Sequence, residues 1–253
     1  MGGIQVRSYL LALSFLTVLP IPIRDRATGQ EMGQSLGVYP LVGLTLGALL
    51  VPVAWLGRYL QLGLAGDVLT VLVLVFLTGG LHLDGLMDTS DGIFSGRSRE
   101  KKLEIMKDSG IGAMGVLAAF SVLSLKISLL SLFPWPLKAW YLMVMPVVGR
   151  WSFVYGIVNY PYARSTPGLG SSYDKTSGRA SLVVATALLL GTGVVFTGWP
   201  GLISIAGGVA WVLLLTGYLS RILGGLTGDT YGALGETVEV VYLLIAAVLL
   251  AWR

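Results

Sequence analysis

The 253-residue sequence contains no cysteine and a single histidine, His82. Disulfides, thiolate metal sites and cysteine nucleophiles are thereby excluded. One histidine also leaves little material for a histidine-rich metal centre or a Ser-His-Asp triad. Charge is scarce: Asp, Glu, Lys and Arg make up 12% of the chain, about half the share of a soluble domain. So few ionised groups cannot cover the surface of an ordinary cytosolic globule. Disorder is excluded more firmly, because it requires low hydrophobicity and high net charge. The formal charge of +4 comes without a long basic run interleaved with aromatics, so nucleic acid is not expected as a partner.

What is abundant is apolar surface and glycine. Hydrophobic residues make up 55% of the chain and glycine accounts for 35 positions, about twice the usual glycine frequency. Glycine lets transmembrane helices approach closely. The composition points to an all-α, polytopic integral membrane helical bundle forming a single domain over 1–253. A span needs about 20 predominantly apolar residues. The sequence offers 36–57, 68–87, 111–132, 139–158, 181–199, 201–219 and 237–252, about six to seven transmembrane helices, with a tight turn at Trp199-Pro200-Gly201. Gly43 and Gly47 have the small-residue spacing of a helix contact. The segment 8–23 lacks a small-residue cleavage site and reads as mature protein. It is too short to span securely and is expected to lie at the interface or re-enter the membrane.

Basic residues orient the bundle. Of 17 Lys and Arg, Lys126 and Arg150 fall inside spans, and Arg58, Lys138 and Arg253 lie on one side. The other twelve, including Arg24, Arg26, Lys175 and all five of the 97–107 cations, share the opposite side with the N-terminal segment. That side is expected to be cytoplasmic, in a multi-pass protein of the cell membrane. Carboxylates follow the same bias: Asp84, Asp88, Asp91, Glu100, Glu104 and Asp108 form one cluster, and Asp229, Glu236 and Glu239 a second.

In the run GGLHLDGLMDTSDG, helical geometry places Asp84, Asp88 and Asp91 within roughly a 60° arc. Like charges at this spacing repel, and a charge near the bilayer centre costs about 2.5–3.5 kcal/mol or more. A divalent cation offsets both costs. Oxygen-only ligands point to Mg²⁺ or Mn²⁺ rather than Zn²⁺. The alternative is a solvated acidic helix end. Over 96–115, Glu100, Glu104 and Asp108 interleave with Lys101, Lys102 and Lys107. They form either an ion-pair-laced surface helix or a cationic wall for phosphate oxygens. In 224–239, five glycines surround Asp229, and a glycine-rich turn beside a carboxylate can present N–H groups to a phosphate. Glu236 shares a face with Asp229, whereas Glu239 lies about 80° away. Arg150 either binds phosphate bidentately or pairs with an internal carboxylate. Lys126 reads as structural and nearer the outer side. His82 is either an acid–base group or a packed, hydrogen-bonded residue. Arg164 lies in a loop able to close over a substrate.

These motifs together resemble a known family, cobalamin synthase, the adenosylcobinamide-GDP ribazoletransferases. The similar segments are 79–92, 100–116, Gly149-Arg150-Trp151, Pro161-Tyr162-Ala163-Arg164 and 224–236, with FLTVLPIP (15–22) and YPLVGLTLGALL (39–50) near the N-terminus. One departure is Gly110, where the family pattern carries Arg. The resemblance implies reaction of adenosylcobinamide-GDP with α-ribazole or its 5′-phosphate, giving adenosylcobalamin or its phosphate and GMP, with Mg²⁺ as cofactor. It also leaves room for a homo-oligomer or association with other cobalamin-pathway enzymes. On this reading Asp84, Asp88, Asp91 and Asp229 bind metal. Lys107, Arg150 and Arg164 contact substrate with Glu104 in support, and His82, Asp108, Lys107 or Glu236 serve the chemistry. Two other readings remain open. Asp88-Thr-Ser-Asp91-Gly92 matches half of a CDP-alcohol phosphotransferase motif, but Ser95-Gly96 stands for Ala-Arg and the second half is missing. A cation-coupled transporter would use broken glycine-rich helices near the midplane.

Overall fold

A computed structural model describes residues 2–23, 27–164 and 178–252. Arg24, Arg26 and Lys175, counted above on the basic side, lie outside the described residues. Every regular element among the described residues is a helix. The helices are α1 (Gly2–Leu16), α2 (Gly29–Ser35), α3 (Tyr39–Tyr59), α4 (Leu64–Leu77), α5 (Leu81–Phe94), α6 (Arg99–Ile105), α7 (Ala113–Ser131), α8 (Leu137–Asn159), α9 (Gly178–Thr192), α10 (Gly198–Leu223) and α11 (Gly228–Ala251).

Five helical stretches are long and apolar enough to cross a bilayer, and α4 with α5 makes up to a sixth when the bent pair counts as one span. That count treats Gly178–Leu223 as one 46-residue stretch. The stretch doubles back, however. Gly198 takes a left-handed φ of 59°, and a Cβ on Gly193 would meet the Leu202 side chain at 3.3 Å. Nine residues along a straight helix would separate them by about 13 Å. The stretch is therefore two arms rather than one straight helix, reversing just ahead of the expected Trp199-Pro200-Gly201 turn.

The expected straight span over 68–87 is corrected. α4 stops at Leu77, and α5 starts at Leu81 at 88° to it. Gly79 and Gly80 hold φ of 62° and 72°, values a side chain rarely tolerates. The Thr78 hydroxyl donates to the Leu74 and Val75 carbonyls, so the break leaves those acceptors satisfied in an apolar surrounding. The last span is also longer than expected, because α11 begins nine residues earlier, at a capping box between Thr227 and Thr230.

α8 and α11 form the buried centre: 78% and 61% of their apolar windows are buried, against 28% for α7. Close helix approach rests on glycine. A Cβ on Gly47 would lie 2.7 Å from the Leu142 carbonyl of α8, which fulfils the expected packing role of that small-residue pair. Outward-facing Phe76, Phe120 and Val195 are 69–74% exposed, as lipid-facing side chains are. α1 spans only about 22 Å at 15 residues, below the ~30 Å hydrocarbon thickness. Its Leu11, Ala12, Leu13 and Leu16 are buried, and Tyr9 shares a hydrogen bond with Thr45 of α3. It thus packs into the bundle as a short helix.

The same economy of space joins α5 to α11. A Cβ on Gly85 would sit 2.7 Å from the Asp229 carbonyl, and one on Gly232 would sit 2.6 Å from the His82 carbonyl. Gly85→Ala is therefore expected to destabilise the protein by about 1–3 kcal/mol through overpacking and to suppress turnover. Gly191→Ala, with nothing within 4 Å of its added methyl, is expected to behave as wild type. Thermal melting in detergent and a product assay on both variants check this.

Candidate active site

The α5–α11 crossing brings Asp84, Asp88 and Asp91 of the first acidic cluster to one end of the bundle with Asp229 of the second. Asp84 and Asp88 project from α5, and Asp229 stands in the first turn of α11, where the helix dipole favours a negative charge. Asp88 lies within electrostatic reach of Asp84, Asp229 and Asp91, with Arg164 as the counter-charge. Asp84 and Asp88 accept no hydrogen bond from the described residues. Among the described residues, no three His, Asp or Glu side chains are gathered into a ready-made metal group. Asp84 and Asp229 line one cavity, and Asp88 stands within charge range of both.

Asp91 carries a further duty. Its two oxygens accept the Gly112 and Gly115 N–H groups, each at 2.8 Å, so it caps the start of α7. Those glycines leave the carboxylate room, since a Cβ on Gly115 would press on Asp91 Oδ2. Lys102 serves the C-terminal end of α5: its buried ammonium donates to the Gly92 and Ile93 carbonyls, where a cation complements the dipole.

Arg164 reaches the site by a short backbone pairing. The Ala163 N–H donates to the Leu226 carbonyl at 2.8 Å, and the Leu226 N–H donates to the Pro161 carbonyl at 2.9 Å. Gly225, at φ 149°, permits that approach. The Arg164 guanidinium then donates to Asp229 Oδ2 at 2.6 Å and to the Met106 carbonyl at 3.2 Å. Its Nε is buried without a partner. Arg99 fastens the same region, donating to the Leu223 and Ala163 carbonyls. Sequence reasoning missed Arg99, because a surface helix with alternating charges gives no sign of which cation turns inward.

Lys107 and Asp108 are exposed on the turn between α6 and α7. Asp108 accepts the Gly110 N–H, and Arg164 comes to this same turn at Met106. Glu104 pairs with Lys101 at 2.9 Å on the solvent side, matching the ion-pair reading of that helix.

Arg150, His82 and Glu236 belong to a second, buried group. Lys126 donates to Glu236 and Glu239, each at 2.6 Å, and Arg150 donates to Glu239 at 2.7 Å. Arg150 is 2% exposed and Glu239 1%, so Arg150 takes the internal pairing rather than an open phosphate contact. Its second terminal nitrogen lies 3.4 Å from His82 Nδ1. A guanidinium has only donors, so this approach is a hydrogen bond only in the tautomer that carries the ring proton on Nε2. His82, packed on Phe153, lines a cavity of about 130 Å³ together with Asp84, Asp229 and Tyr39. It thus stands between the buried ion pairs and the acidic end. Glu239 and Lys126, peripheral and structural by their sequence positions, are the hub of this network.

Comparison with known proteins places the chain in a family. The sequence pattern of the family described as Cobalamin-5-phosphate synthase (CobS) matches residues 8–247. The chain belongs to this family. A protein named adenosylcobinamide-GDP ribazoletransferase from Desulforamulus reducens is 46% identical over 94% of this chain and 96% of its own. Proteins of the same name from Desulfitobacterium hafniense and Roseiflexus sp. are 41% and 43% identical, over 97% and 92% of this chain and 98% and 86% of their own. No solved structure matches. Membership of the family disfavours both the CDP-alcohol phosphotransferase reading and the transporter reading.

Proposed function

We infer that this chain is an adenosylcobinamide-GDP ribazoletransferase: it joins adenosylcobinamide-GDP to α-ribazole or its 5′-phosphate and releases GMP. The observation that carries the reading is the packing of Gly85 against the Asp229 backbone, which unites the two acidic segments of the family pattern beside Arg164.

The donors here are carboxylate oxygens, uncompensated at Asp84 and Asp88, with no thiolate in the chain. That set fits a hard divalent cation such as Mg²⁺. Asp84, Asp88 and Asp229 would hold it, with Asp91 steadying α5 against α7. When bound, the ion would neutralise charge building on the diphosphate during in-line displacement. The ribazole hydroxyl oxygen forms a bond to the phosphorus nearer cobinamide, the bond to the bridging oxygen breaks, and GMP takes that oxygen away. The hydroxyl proton passes to a base. The chain's own residues bind and orient the substrate. Arg164 has a spare buried N–H for a phosphate oxygen, and Lys107 is free to approach from the α6–α7 turn. In the tautomer that accepts from Arg150, His82 presents an Nε2–H suited to donate, which leaves Asp108 and the acidic cluster as the candidate bases.

The arrangement also supports a single membrane domain with its site facing the cytoplasm, since the described cations Arg97, Arg99, Lys101, Lys102, Lys107 and Arg164 gather at the site end. The purified chain, incubated with both substrates and Mg²⁺, is expected to yield the joined corrinoid and GMP by mass. Chelation by EDTA should stop the reaction and added Mg²⁺ should restore it. Undiminished product in EDTA would overturn the metal assignment.

A further inference from the structure

The end of the bundle opposite the site carries few charges, yet two of its cations converge. The tips of α3 and α4 and the α7–α8 connection enclose a cavity of about 480 Å³, lined in part by Arg58, Gln61, Asp67, Trp135 and Lys138. That volume lies in the range of small-ligand sites. The tips meet closely because Gly57 and Gly66 face each other: a Cβ on Gly57 would lie 2.9 Å from the Gly66 Cα. Gln61 is the one non-glycine residue with positive φ among the described residues, at 54°. It is held there by the Gln61 N–H to Arg58 carbonyl and Leu62 N–H to Gly57 carbonyl bonds. Such backbone outliers collect at ligand sites.

The charges are unbalanced. Lys138 donates to Asp67 at 2.6 Å, with Asp67 almost fully buried, so that pair is neutral. Arg58 lies over the Trp135 ring, 5.6 Å from its centroid, and makes no ion pair with any described residue. The cavity therefore keeps one uncompensated guanidinium, with donors from Gln61 and Lys138 beside it. Trp55 and Tyr59 stack at 5.5 Å on the neighbouring surface of α3 and are exposed, as aromatic residues at the headgroup level of a membrane are.

We propose that this cavity binds the phosphate headgroup of an anionic phospholipid, with Arg58 on the phosphate and Gln61 and Lys138 on neighbouring oxygens. The site lies at the far end of the molecule from the carboxylates and does not depend on the reaction they serve. The headgroup enters from the lipid layer in which Trp55 and Tyr59 already sit, which distinguishes it from a free anion arriving from water.

The test uses the full chain in a neutral detergent, followed by thermal melting. Dioleoyl phosphatidylglycerol is expected to raise the melting temperature by about 5 °C near saturation. Dioleoyl phosphatidylcholine should leave it within 1–2 °C or so, on the scale of small changes in binding. Arg58→Gln removes an exposed side chain outside every described ion pair. It should melt as wild type without lipid and lose more than half of the phosphatidylglycerol shift. Equal shifts in the two proteins, or from the two lipids, would overturn the proposal. A shift of the same size from millimolar inorganic phosphate would overturn the lipid assignment and leave a free-anion site.

Discussion

GMP release is expected to fall about a thousandfold in Asp88→Asn and Asp84→Asn, while the melting temperature measured without divalent cations holds or rises. A bound metal contributes several kcal/mol to stabilising a phosphoryl-transfer transition state, and each 1.36 kcal/mol is tenfold in rate. Loss of one ligand that removes about 4 kcal/mol gives three decades. The stability half of the prediction separates this role from a structural one. Asp88 sits among the charges of Asp84, Asp229 and Asp91, with Arg164 alone opposing them. Removing one negative charge therefore relieves repulsion in the metal-free protein. Wild type should gain stability on adding Mg²⁺, because a ligand that binds only the folded state stabilises it, and the variants should gain less. Turnover near wild type in either folded variant would remove that residue from the metal set.

The meeting of Asp84 and Asp88 with Asp229 was legible in the sequence, because charge is rare in this chain and carboxylates crowded at span ends repel unless a cation joins them. Gly43 and Gly47 were legible for a similar reason: small residues at helical spacing in an apolar run announce close approach. The break between α4 and α5 was not. Thr78-Gly79-Gly80 counts as apolar filler in a hydropathy window, which registers side-chain transfer energy and is blind to φ. Two consecutive glycines can pack helices or turn a corner, and only the tertiary fold chooses. The bend matters to the site, since it lets α5 leave the α4 direction and lie along α11 with its carboxylates at the basic end.

Partner choice inside the bundle was the other silent quantity. Arg150 announces itself as costly in a span, but the sequence offers phosphate, Glu236 and Glu239 equally as its counter-charge. The ~80° offset that made Glu239 look peripheral to Asp229 is what turns it toward α7 and α8. There Gly149 gives it space: a Cβ at that position would stand 2.5 Å from Glu239 Oε1. Asp91 shows the converse, a residue whose spacing groups it with Asp84 and Asp88 while its neighbours in space, Gly112 and Gly115, give it a helix to cap.

The buried network carries the second large effect. Lys126 and Arg150 offset Glu236 and Glu239 one for one, all four nearly inaccessible, and Lys126 touches both carboxylates. Lys126→Met leaves a net negative charge in the middle of the bundle. Removing one partner of a buried pair costs about 3–5 kcal/mol, because the remaining charge stays desolvated. At about 2–4 °C per kcal/mol for a chain of this size, the melting temperature should drop by roughly 10 °C. Lys126→Met combined with Glu236→Gln restores neutrality around the Arg150–Glu239 pair and should recover more than half of that loss. Glu236→Gln alone leaves Lys126 with Glu239 and an excess positive charge, so it should destabilise by itself. The double variant is then more stable than the sum of the two singles implies, a coupling that residues acting independently do not show. Strict additivity across the four proteins would mean that Lys126 and Glu236 do not share a charge, and the hydrogen bonds that join α7 to α11 would lose their energetic meaning.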